Sequence, residues 1–484
     1  MPAPRERQSI QVAAERSVLA AVRLPGDRYD AADPFGELRE LAAQAGAVVV
    51  GEIEQRRERP EAGTYMGRGK VEELKGLCEL VDAKTVIFDH ELSPKQIAAI
   101  EEMTERKVLD RSELILDIFA SRATTHEAKL QVEIAQLEYT YPRLRAMWDH
   151  LERIVGSGGI GGVGTRGPGE QQLEIDRRLV QRRKKLLGDE LAKIQARKRR
   201  QVRARNLDYF TVGLVGYTNA GKSTLFNTLT AGGAYADDRL FATLMTRTRE
   251  WDLKTGSGGG GLTAMLSDTV GFVRDLPHHL VASFRATLEE ATHADLLLIL
   301  VDISDPAAEL HFETVNTVLD ELFEDARQAE LKAATIAERS GTKLKPWTPP
   351  ERTVLLNKAD RLADNHEVLI WSTKAPGSIP VCALPDAQGR LRIGHDTLVE
   401  RVRRSAMGEV RRLEITVPLR DARTVHTIEN RGRVLDRAYA ADRVTLTVEI
   451  GSKQIERLRS AGAQMEIAGQ PVRTSGPGWR ESEV

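Results

Sequence analysis

The chain has 484 residues, of which 41% are hydrophobic and 29% are charged, with 70 Lys and Arg against 71 Asp and Glu. At about 100–200 residues per domain, this length predicts roughly two to four domains. The composition is that of a globular protein and excludes a collagen-like chain, an acidic disordered chain and a coiled-coil rod. The formal net charge of -1 excludes a uniformly basic nucleic-acid binder.

The chain shows no pattern of secretion or membrane insertion. Its two cysteines, Cys78 and Cys382, are too few for a disulfide framework or a four-cysteine zinc site, and they fit a reducing compartment. The start of the chain lacks the apolar core of a secretory signal, and no apolar run reaches the roughly 18 residues of a membrane span. We therefore expect a cytoplasmic protein without stable membrane insertion.

The first part of the chain predicts a small α/β subdomain at 33–125, preceded by a flexible N-terminus at 1–32. One helix is predicted to begin at Ser93 and Pro94, because Ser caps helix N-termini and Pro suits the first helical position. The other predicted elements are helices at 33–45 and from Val71, and strands at 47–53, 85–88 and 107–110.

Residues 126–207 predict two long helical arms joined by a tip loop at 156–169, in which eight of fourteen residues are glycine. The second arm carries thirteen basic and three acidic residues between Asp176 and Arg205, a net +10, so the rest of the chain sums to -11. The near-zero total is therefore a cancellation between two regions. Such a helix is typical of contact with nucleic-acid phosphates, although a solvated charged helix has the same composition.

Residues 208–410 contain apolar strands separated by helices, which predicts a domain with a mostly parallel sheet. Two stretches, 324–351 and the loop-like 361–380, are interpreted as insertions into this domain. Residues 411–472 mix strand-like and helical runs and predict a small α+β domain, and 473–484 predict a disordered tail. The strands predicted in the central domain lie at 210–215, 262–267, 296–301 and 353–356.

A glycine-containing loop follows the first of these strands and matches the pattern G-x-x-x-x-G-K-[ST]. Backbone N–H groups of such a loop wrap phosphates, and the following helix N-terminus adds a favourable dipole. Lys222 can reach the β- and γ-phosphates, and the Ser223 hydroxyl can bind Mg²⁺. The predicted phosphate-binding segment is Gly216-Tyr217-Thr218-Asn219-Ala220-Gly221-Lys222-Ser223-Thr224.

Two further boxes follow later strands: Asp268-Thr269-Val270-Gly271 and Asn357-Lys358-Ala359-Asp360. An Asp at a strand end can hold Mg²⁺, and the Gly271 N–H can meet the γ-phosphate. The Asp360 carboxylate can accept hydrogen bonds from guanine N1 and N2, a donor pair that adenine lacks, so it would select guanine. Asn357 would brace the loop, and the stem of Lys358 would lie along the base. The three boxes in this order predict a GTPase.

These motifs resemble those of the HflX family of ribosome-associated GTPases, and the resemblance covers most of residues 33–410. It implies a P-loop GTPase domain, stimulation by the ribosome, and an N-terminal domain that docks on the large ribosomal subunit. The loop at 157–170 would then reach toward the peptidyl transferase centre, although a disordered linker has the same composition. The segments that carry the resemblance are GYTNAGKSTLFN, DTVGFVRDLPHHLVASFRATLEE, NKAD, YMGRGKVEEL, VLDRSELILDIF, AKLQVEIAQL and GGVGTRGPGEQQLEID.

The resemblance also implies a Mg²⁺-binding threonine, Thr243, within the run Phe241-Ala242-Thr243-Leu244-Met245. Met245 stands where that run usually has Asp. This difference bears on the stiffness of the loop and does not affect Mg²⁺ coordination by Thr243. The family's last guanine-contacting box is aligned with Cys382-Ala383-Leu384, whose contact is through the main chain. The rival alignment places this box at Ser372 and Thr373.

Hydrolysis would proceed by attack of water on the γ-phosphate, with Lys222 and Mg²⁺ neutralising the developing charge. Phe272 stands where many GTPases carry a water-orienting Gln, which predicts slow intrinsic hydrolysis and an outside activator. Asn219 either caps the phosphate loop or helps to hold a K⁺ ion. Lys222, Asn219, Thr243 and Gly271 form the predicted catalytic set.

The leading hypothesis is a monomeric GTPase that binds the large ribosomal subunit and its rRNA and dissociates or rescues stalled ribosomes under stress. The alternative is a nucleotide-gated RNA- or ribosome-binding module, with an assembly or antibiotic-protection role, in which hydrolysis only times release. A third hypothesis is an ATP-using RNA remodeller. The guanine-selecting box argues against ATP in this domain.

Overall fold

A computed structural model of the chain describes residues 15–156, 168–230, 247–253, 262–274, 291–339, 347–440, 442–460 and 462–468. Two compact units are defined by its contacts. The first contains the chain up to residue 196 together with the short segment 272–274, and the second contains the remaining described residues. The phosphate loop and both later boxes belong to the second unit.

The first unit is built around a four-stranded parallel sheet with the strand order β2-β1-β3-β4. The predicted helix start at Ser93 is confirmed, because its hydroxyl accepts a hydrogen bond from the Gln96 N–H within a capping box. The elements are β1 (Arg16–Arg23), α1 (Gly36–Gln44), β2 (Val48–Arg56), α2 (Arg68–Leu80), β3 (Thr85–Phe88), α3 (Pro94–Thr104), β4 (Lys107–Asp110) and α4 (Arg111–Arg122).

Strand β1 corrects the prediction that residues 1–32 are flexible. It pairs with β2 on one side and with β3 on the other, and its residues from Val18 to Val22 are fully buried. A strand covered on both faces reads as a short continuous apolar run, without the alternation that marks a half-exposed strand. The run Val-Leu-Ala-Ala-Val between two arginines therefore carried a weak local signal.

A buried carboxylate, Asp89, follows β3 and holds three arginines of the first unit. Its oxygens lie 2.7 Å from an Nη atom of Arg23, 2.7 Å from one of Arg111 and 3.1 Å from one of Arg274. Arg274 and Arg111 also pair with Glu37. Burial alone raises the pKa of the Asp89 carboxyl, but the charges of Arg111, Arg274 and Arg23 outweigh it and lower that pKa.

We expect Asp89→Ala to lower the free energy of unfolding by about 3–5 kcal/mol, because it leaves buried guanidinium groups without their carboxylate. The folded-state pKa of Asp89 is depressed, so its stabilisation is present above the unfolded value of about 4 and is lost as the pH falls through the folded value. The difference in free energy of unfolding between wild type and variant should therefore become smaller in acid. Urea denaturation at a series of pH values measures it.

The matched control is Asp33→Ala, because Asp33 forms a half-exposed ion pair with Arg39 on the surface of the same unit. Exposed ion pairs contribute about 0–1 kcal/mol to stability, so the free energy of unfolding of this variant should be close to that of wild type. Equal destabilisation by the two substitutions would contradict the role assigned to Asp89.

The two predicted helical arms are confirmed as α5 (His126–Gly156) and α6 (Pro168–Asp208), while the tip between them, 157–167, lies outside the described residues. The arms run antiparallel, since His126 pairs with Glu190 and Glu133 pairs with Arg183. A leucine-rich seam joins them and leaves most basic side chains of α6 up to Arg200 on the exposed side. The buried members of the seam are Leu130, Ile134, Leu187 and Leu191.

The second unit contains a six-stranded sheet with the order β10-β9-β8-β5-β7-β6, parallel except for the antiparallel edge strand β6. The carboxyl ends of parallel strands meet at one edge, where ligands of such sheets bind. The strands are β5 (Phe210–Gly216), β6 (Arg247–Asp252), β7 (Thr263–Asp268), β8 (Leu296–Asp302), β9 (Glu351–Asn357) and β10 (Ile379–Pro380). The helices are α7 (Lys222–Leu229), α8 (Ala308–Arg339), α9 (His366–Lys374) and α10 (His395–Met407).

The stretches interpreted as insertions are in large part regular elements of this domain. Residues 324–339 continue α8, and residues 351–357 are strand β9. The interpretation of 361–380 as loop-like is wrong, because it contains α9 and β10. Trp371 of α9 is buried and packs edge-on against Phe312 of α8, with ring centroids 5.4 Å apart. The second half of α8 is polar, so its apolar periodicity fades before the helix ends.

The C-terminal α+β prediction is confirmed by a four-stranded antiparallel sheet with the order β14-β15-β13-β16. A hairpin, β11 (Cys382–Pro385) and β12 (Leu391–Ile393), precedes it. No helix in the described part of the chain is long and apolar enough to cross a membrane. The remaining elements are β13 (Val410–Pro418), α11 (Ala422–Arg431), β14 (Arg433–Ala440), β15 (Arg443–Gly451), α12 (Ser452–Ser460) and β16 (Glu466–Ala468).

Candidate active site

The phosphate loop joins the end of β5 to the start of α7, as the sequence predicted. Gly221 has a φ of +94°, and a Cβ placed on it would lie 2.3 Å from Nδ2 of Asn357. Only glycine accepts both this backbone conformation and this close approach. The loop is therefore closed tightly against the strand end that carries the N-K-x-D box.

Lys222 is 7% exposed, and its Nζ donates a hydrogen bond to the Tyr217 carbonyl oxygen at 2.6 Å. Burial lowers the pKa of its ammonium to about 8, against the opposing effect of the negative charge of Asp268. A lysine with this pKa binds a polyphosphate most strongly when it is protonated, and phosphate charge favours that form. Lys222 is thus a cation placed inside the loop.

The Asp268 box lies directly beside the phosphate loop. The Ser223 hydroxyl donates to Oδ2 of Asp268 at 2.8 Å, and the Thr269 hydroxyl donates to the Leu214 carbonyl oxygen at 2.6 Å. A Cβ on Gly271 would lie 2.9 Å from Cγ2 of Thr218 and 3.0 Å from Nζ of Lys222. The hydroxyl and carboxylate oxygens that converge here are the hard ligands that suit Mg²⁺.

Asn357 links the phosphate loop to the base-reading segments. Its Nδ2 donates to the Ala220 carbonyl oxygen at 2.7 Å, and its Oδ1 accepts from the Ala383 N–H at 3.1 Å. The hydroxyl of Thr228 in α7 donates to the Ala383 carbonyl oxygen at 2.8 Å. A single amide thus fixes the spacing between the phosphate end and the base end of the site.

Cys382 and Ala383, and not Ser372, lie beside this network. Ser372 lies within α9, where its hydroxyl donates to the Val368 carbonyl oxygen at 2.7 Å. Burial raises the pKa of the Cys382 thiol, and a hydrogen bond with Asp360 acts in the same direction. The geometry therefore favours the Cys382 alignment. Asp360 is exposed, so its carboxylate is accessible to a base.

Other predicted residues have less direct outcomes. Thr243 and the run Phe241–Met245 lie outside the described residues. Phe272 is 5% exposed. Asn219 adopts a φ of +62°, the left-handed conformation that Asn tolerates in tight loops. Sequence reasoning missed Thr228, and the only available signal was its position one turn after Thr224 in the same helix.

A mostly parallel sheet with a phosphate loop, a D-x-x-G box and an N-K-x-D box at one edge defines a P-loop GTPase. Three family models match the chain: "GTP-binding GTPase N-terminal" over 32–120, "GTP-binding GTPase Middle Region" over 122–205 and "50S ribosome-binding GTPase" over 211–336.

GTPase HflX of Caldanaerobacter subterraneus is 35% identical to this chain over 453 residues, covering 92% of this chain and 93% of that protein. GTPase HflX of Lacrimispora saccharolytica is 47% identical over 310 residues, or 64% of this chain and 70% of that protein. A GTP-binding protein from Sulfolobus solfataricus, solved with GDP, is 23% identical with a TM-score of 0.37 and covers 81% of this chain and 98% of its own. The chain belongs to the HflX family and is a GTPase, because the Caldanaerobacter relative aligns with it over nearly the whole length of both chains.

Proposed function

We propose that this GTPase binds the large ribosomal subunit through its helical arms. The observation that carries the proposal is the exposed basic surface of α6. Long basic side chains on an otherwise polar helix attract phosphate backbone with little regard to base sequence. The matched model named "50S ribosome-binding GTPase" supports the same partner. The exposed basic residues are Arg177, Arg178, Arg182, Arg183, Lys184, Lys185, Lys193, Arg197 and Arg200.

In the proposed reaction, Lys222 binds the β- and γ-phosphates and stabilises charge that develops on their oxygens. Ser223, Asp268 and Thr243 would hold Mg²⁺, which supplies further charge neutralisation to the phosphates when bound. Gly271 would direct its N–H to the γ-phosphate. Asn219 would either cap the loop or help to hold a K⁺ ion. Phe272 offers no polar atom to orient water, so intrinsic hydrolysis would be slow and the ribosome would accelerate it.

At the other end of the site, Asp360 would read guanine N1 and N2, Lys358 would cover the base, and the backbone of Cys382, Ala383 and Leu384 would meet O6. Asn357 already braces these segments through its two hydrogen bonds. The ATP-using alternative is disfavoured, since a carboxylate at Asp360 meets no paired donors on adenine.

The proposed consequence of binding is dissociation or rescue of stalled ribosomes under stress, by a monomer acting in the cytoplasm. The competing proposal is a gated binding module for assembly or antibiotic protection, in which hydrolysis only times release. Ribosome sedimentation with GTP or a nonhydrolysable analogue separates them. Dissociation of 70S particles into subunits supports the first proposal, whereas binding without dissociation supports the second.

Neutralising three exposed arm residues should weaken binding to the large subunit and flatten its salt dependence. For the triple variant Arg177→Gln, Arg182→Gln and Lys185→Gln, the slope of log affinity against log salt should fall by about 1 for each residue that contacts a phosphate. Titration of fluorescent protein into isolated large subunits at several salt concentrations measures this slope.

The matched control removes the same charge elsewhere, through Arg327→Gln, Arg390→Gln and Arg443→Gln, three side chains that pair with surface acids. This control should bind as wild type does. The arm proposal is wrong if the two triple variants behave alike, or if wild-type protein fails to bind large subunits at low salt.

A further inference from the structure

An ion pair lies at the edge of the sheet immediately beside the base-reading box, and no motif of the sequence pointed to it. Asp302 is the last residue of β8, and its strand partner in β9 is Asn357. Oδ2 of Asp302 lies 2.6 Å from Nζ of Lys358, the next residue along the chain. The two side chains are 14% and 19% exposed, so the pair is largely removed from water.

The carboxylate of this pair is held rigidly by its own strand end. Oδ1 of Asp302 accepts hydrogen bonds from the Ser304 N–H at 3.1 Å and from the Ser304 hydroxyl at 2.6 Å. The Ile303 N–H donates to the Asn357 carbonyl oxygen at 3.2 Å, which fixes the distance between the two strand ends. Asp302 therefore offers Lys358 a partner of fixed position.

Lys358 is constrained at both ends. Its backbone has φ 60° and ψ 30°, the left-handed conformation, and its ammonium is fixed by Asp302. The flexible four-carbon stem between these points would otherwise lose most of its rotamer freedom when a base packs on it. With the ammonium already held, most of that ordering precedes binding.

We propose that Asp302 is a positioning residue for guanine-nucleotide binding, which holds Lys358 so that its stem forms a preordered surface for the base. The inference rests on the base-covering role proposed above for Lys358. Asp302 is paired with Lys358 and belongs to the base end of the site. Its contribution should therefore be to nucleotide affinity and not to the hydrolytic step.

The test is a double-mutant cycle on the full chain, with Asp302→Asn, Lys358→Met and the combined variant titrated with fluorescent GDP. Asn is nearly isosteric and can keep an acceptor for Ser304, so it removes mainly the charge. Each single variant should weaken GDP binding about tenfold, because the Lys358 stem would then be ordered only when the base binds. The combined variant should bind no more weakly than Lys358→Met alone.

Steady-state kinetics provide a readout that a general structural defect would not reproduce. Asp302→Asn should raise KM for GTP with kcat unchanged within about twofold. The base contact of Lys358 is the same in the substrate complex and in the transition state, so its loss weakens both equally. The control is Glu309→Gln, which breaks an exposed pair with Lys374 and should leave both constants as in wild type. Melting temperatures of all variants identify any that fail to fold.

The inference is overturned if Asp302→Asn binds GDP as wild type does, if it weakens binding equally in the Lys358→Met background, or if it lowers kcat. It is also overturned if Lys358→Met has full affinity, because the positioned group would then contribute nothing. A different result would contradict the base-reading proposal itself, namely an Asp360→Ala variant that still prefers GTP to ATP.

Discussion

Lys222→Ala should reduce kcat for GTP hydrolysis by about 10²–10³-fold, the loss typical of removing one preorganised group that stabilises developing charge. The ammonium is buried within the loop and already donates to the Tyr217 carbonyl oxygen, so its position precedes substrate binding. Neither bulk water nor a neighbouring side chain can replace a cation fixed in that loop. Phosphate release at saturating GTP measures the effect.

Lys222 should also make the affinity for GTP depend on pH. The free-protein pKa of Lys222 is about 8, and bound phosphate favours the protonated form, so binding above that pH requires proton uptake. Affinity for GTP should be level below about pH 8 and should fall above it, by at most about tenfold per pH unit. Lys222→Arg keeps its charge and should lose this dependence.

The control for both results is Lys374→Ala, which removes an exposed lysine paired with Glu309. This variant should hydrolyse GTP at the wild-type rate and keep the decline in affinity above pH 8. A Lys222→Ala variant within about threefold of wild-type kcat would contradict the assigned role.

Asp360→Ala should reduce the preference for GTP over ATP by about 10⁴-fold, because a site that hydrogen-bonds a specific donor pair rejects an analogue lacking it by factors of that size. The carboxylate is exposed at the edge of the sheet, close to the Cys382 thiol. Without it, the guanine N1 and N2 donors have no acceptor, and only the proposed main-chain contact with O6 still separates guanine from adenine. Paired titrations with GTP and ATP on wild type and variant measure the change.

Asp364→Ala is the matched control, since Asp364 is an exposed carboxylate a few residues further on that accepts a hydrogen bond from the His366 N–H. It should keep the full preference for GTP. Retention of that preference by Asp360→Ala would show that the base is read elsewhere.

The positive charge of the basic arm can be read from the sequence but not from the total charge of the chain. Between Asp176 and Arg205 the net charge is +10 within a chain of net -1. Helical periodicity predicts the arm, and α6 confirms it, because a helix is determined largely by contacts within the same segment. Which basic residues face outward was decided by the leucine seam with α5, a contact between segments that are distant along the chain.

The strands and the helix start that carry the boxes were also predictable. Apolar runs of strand length followed by glycine or a capping residue are local signals, and β5, β7, β8 and β9 begin and end within a few residues of their predicted bounds. Strand β1 was missed because its burial on both faces depends on β2 and β3, which come later in the chain.

By itself, the sequence determined the type of reaction, since the order of phosphate loop, D-x-x-G and N-K-x-D boxes needs no knowledge of distances. Only the tertiary structure decided how these boxes are joined. Asn357 bridges to Ala220 and Ala383, Asp302 holds Lys358, and Cys382 rather than Ser372 lies at the base end. These contacts connect residues distant along the chain, and parallel strands bring them together because their carboxyl ends meet at one edge of the sheet.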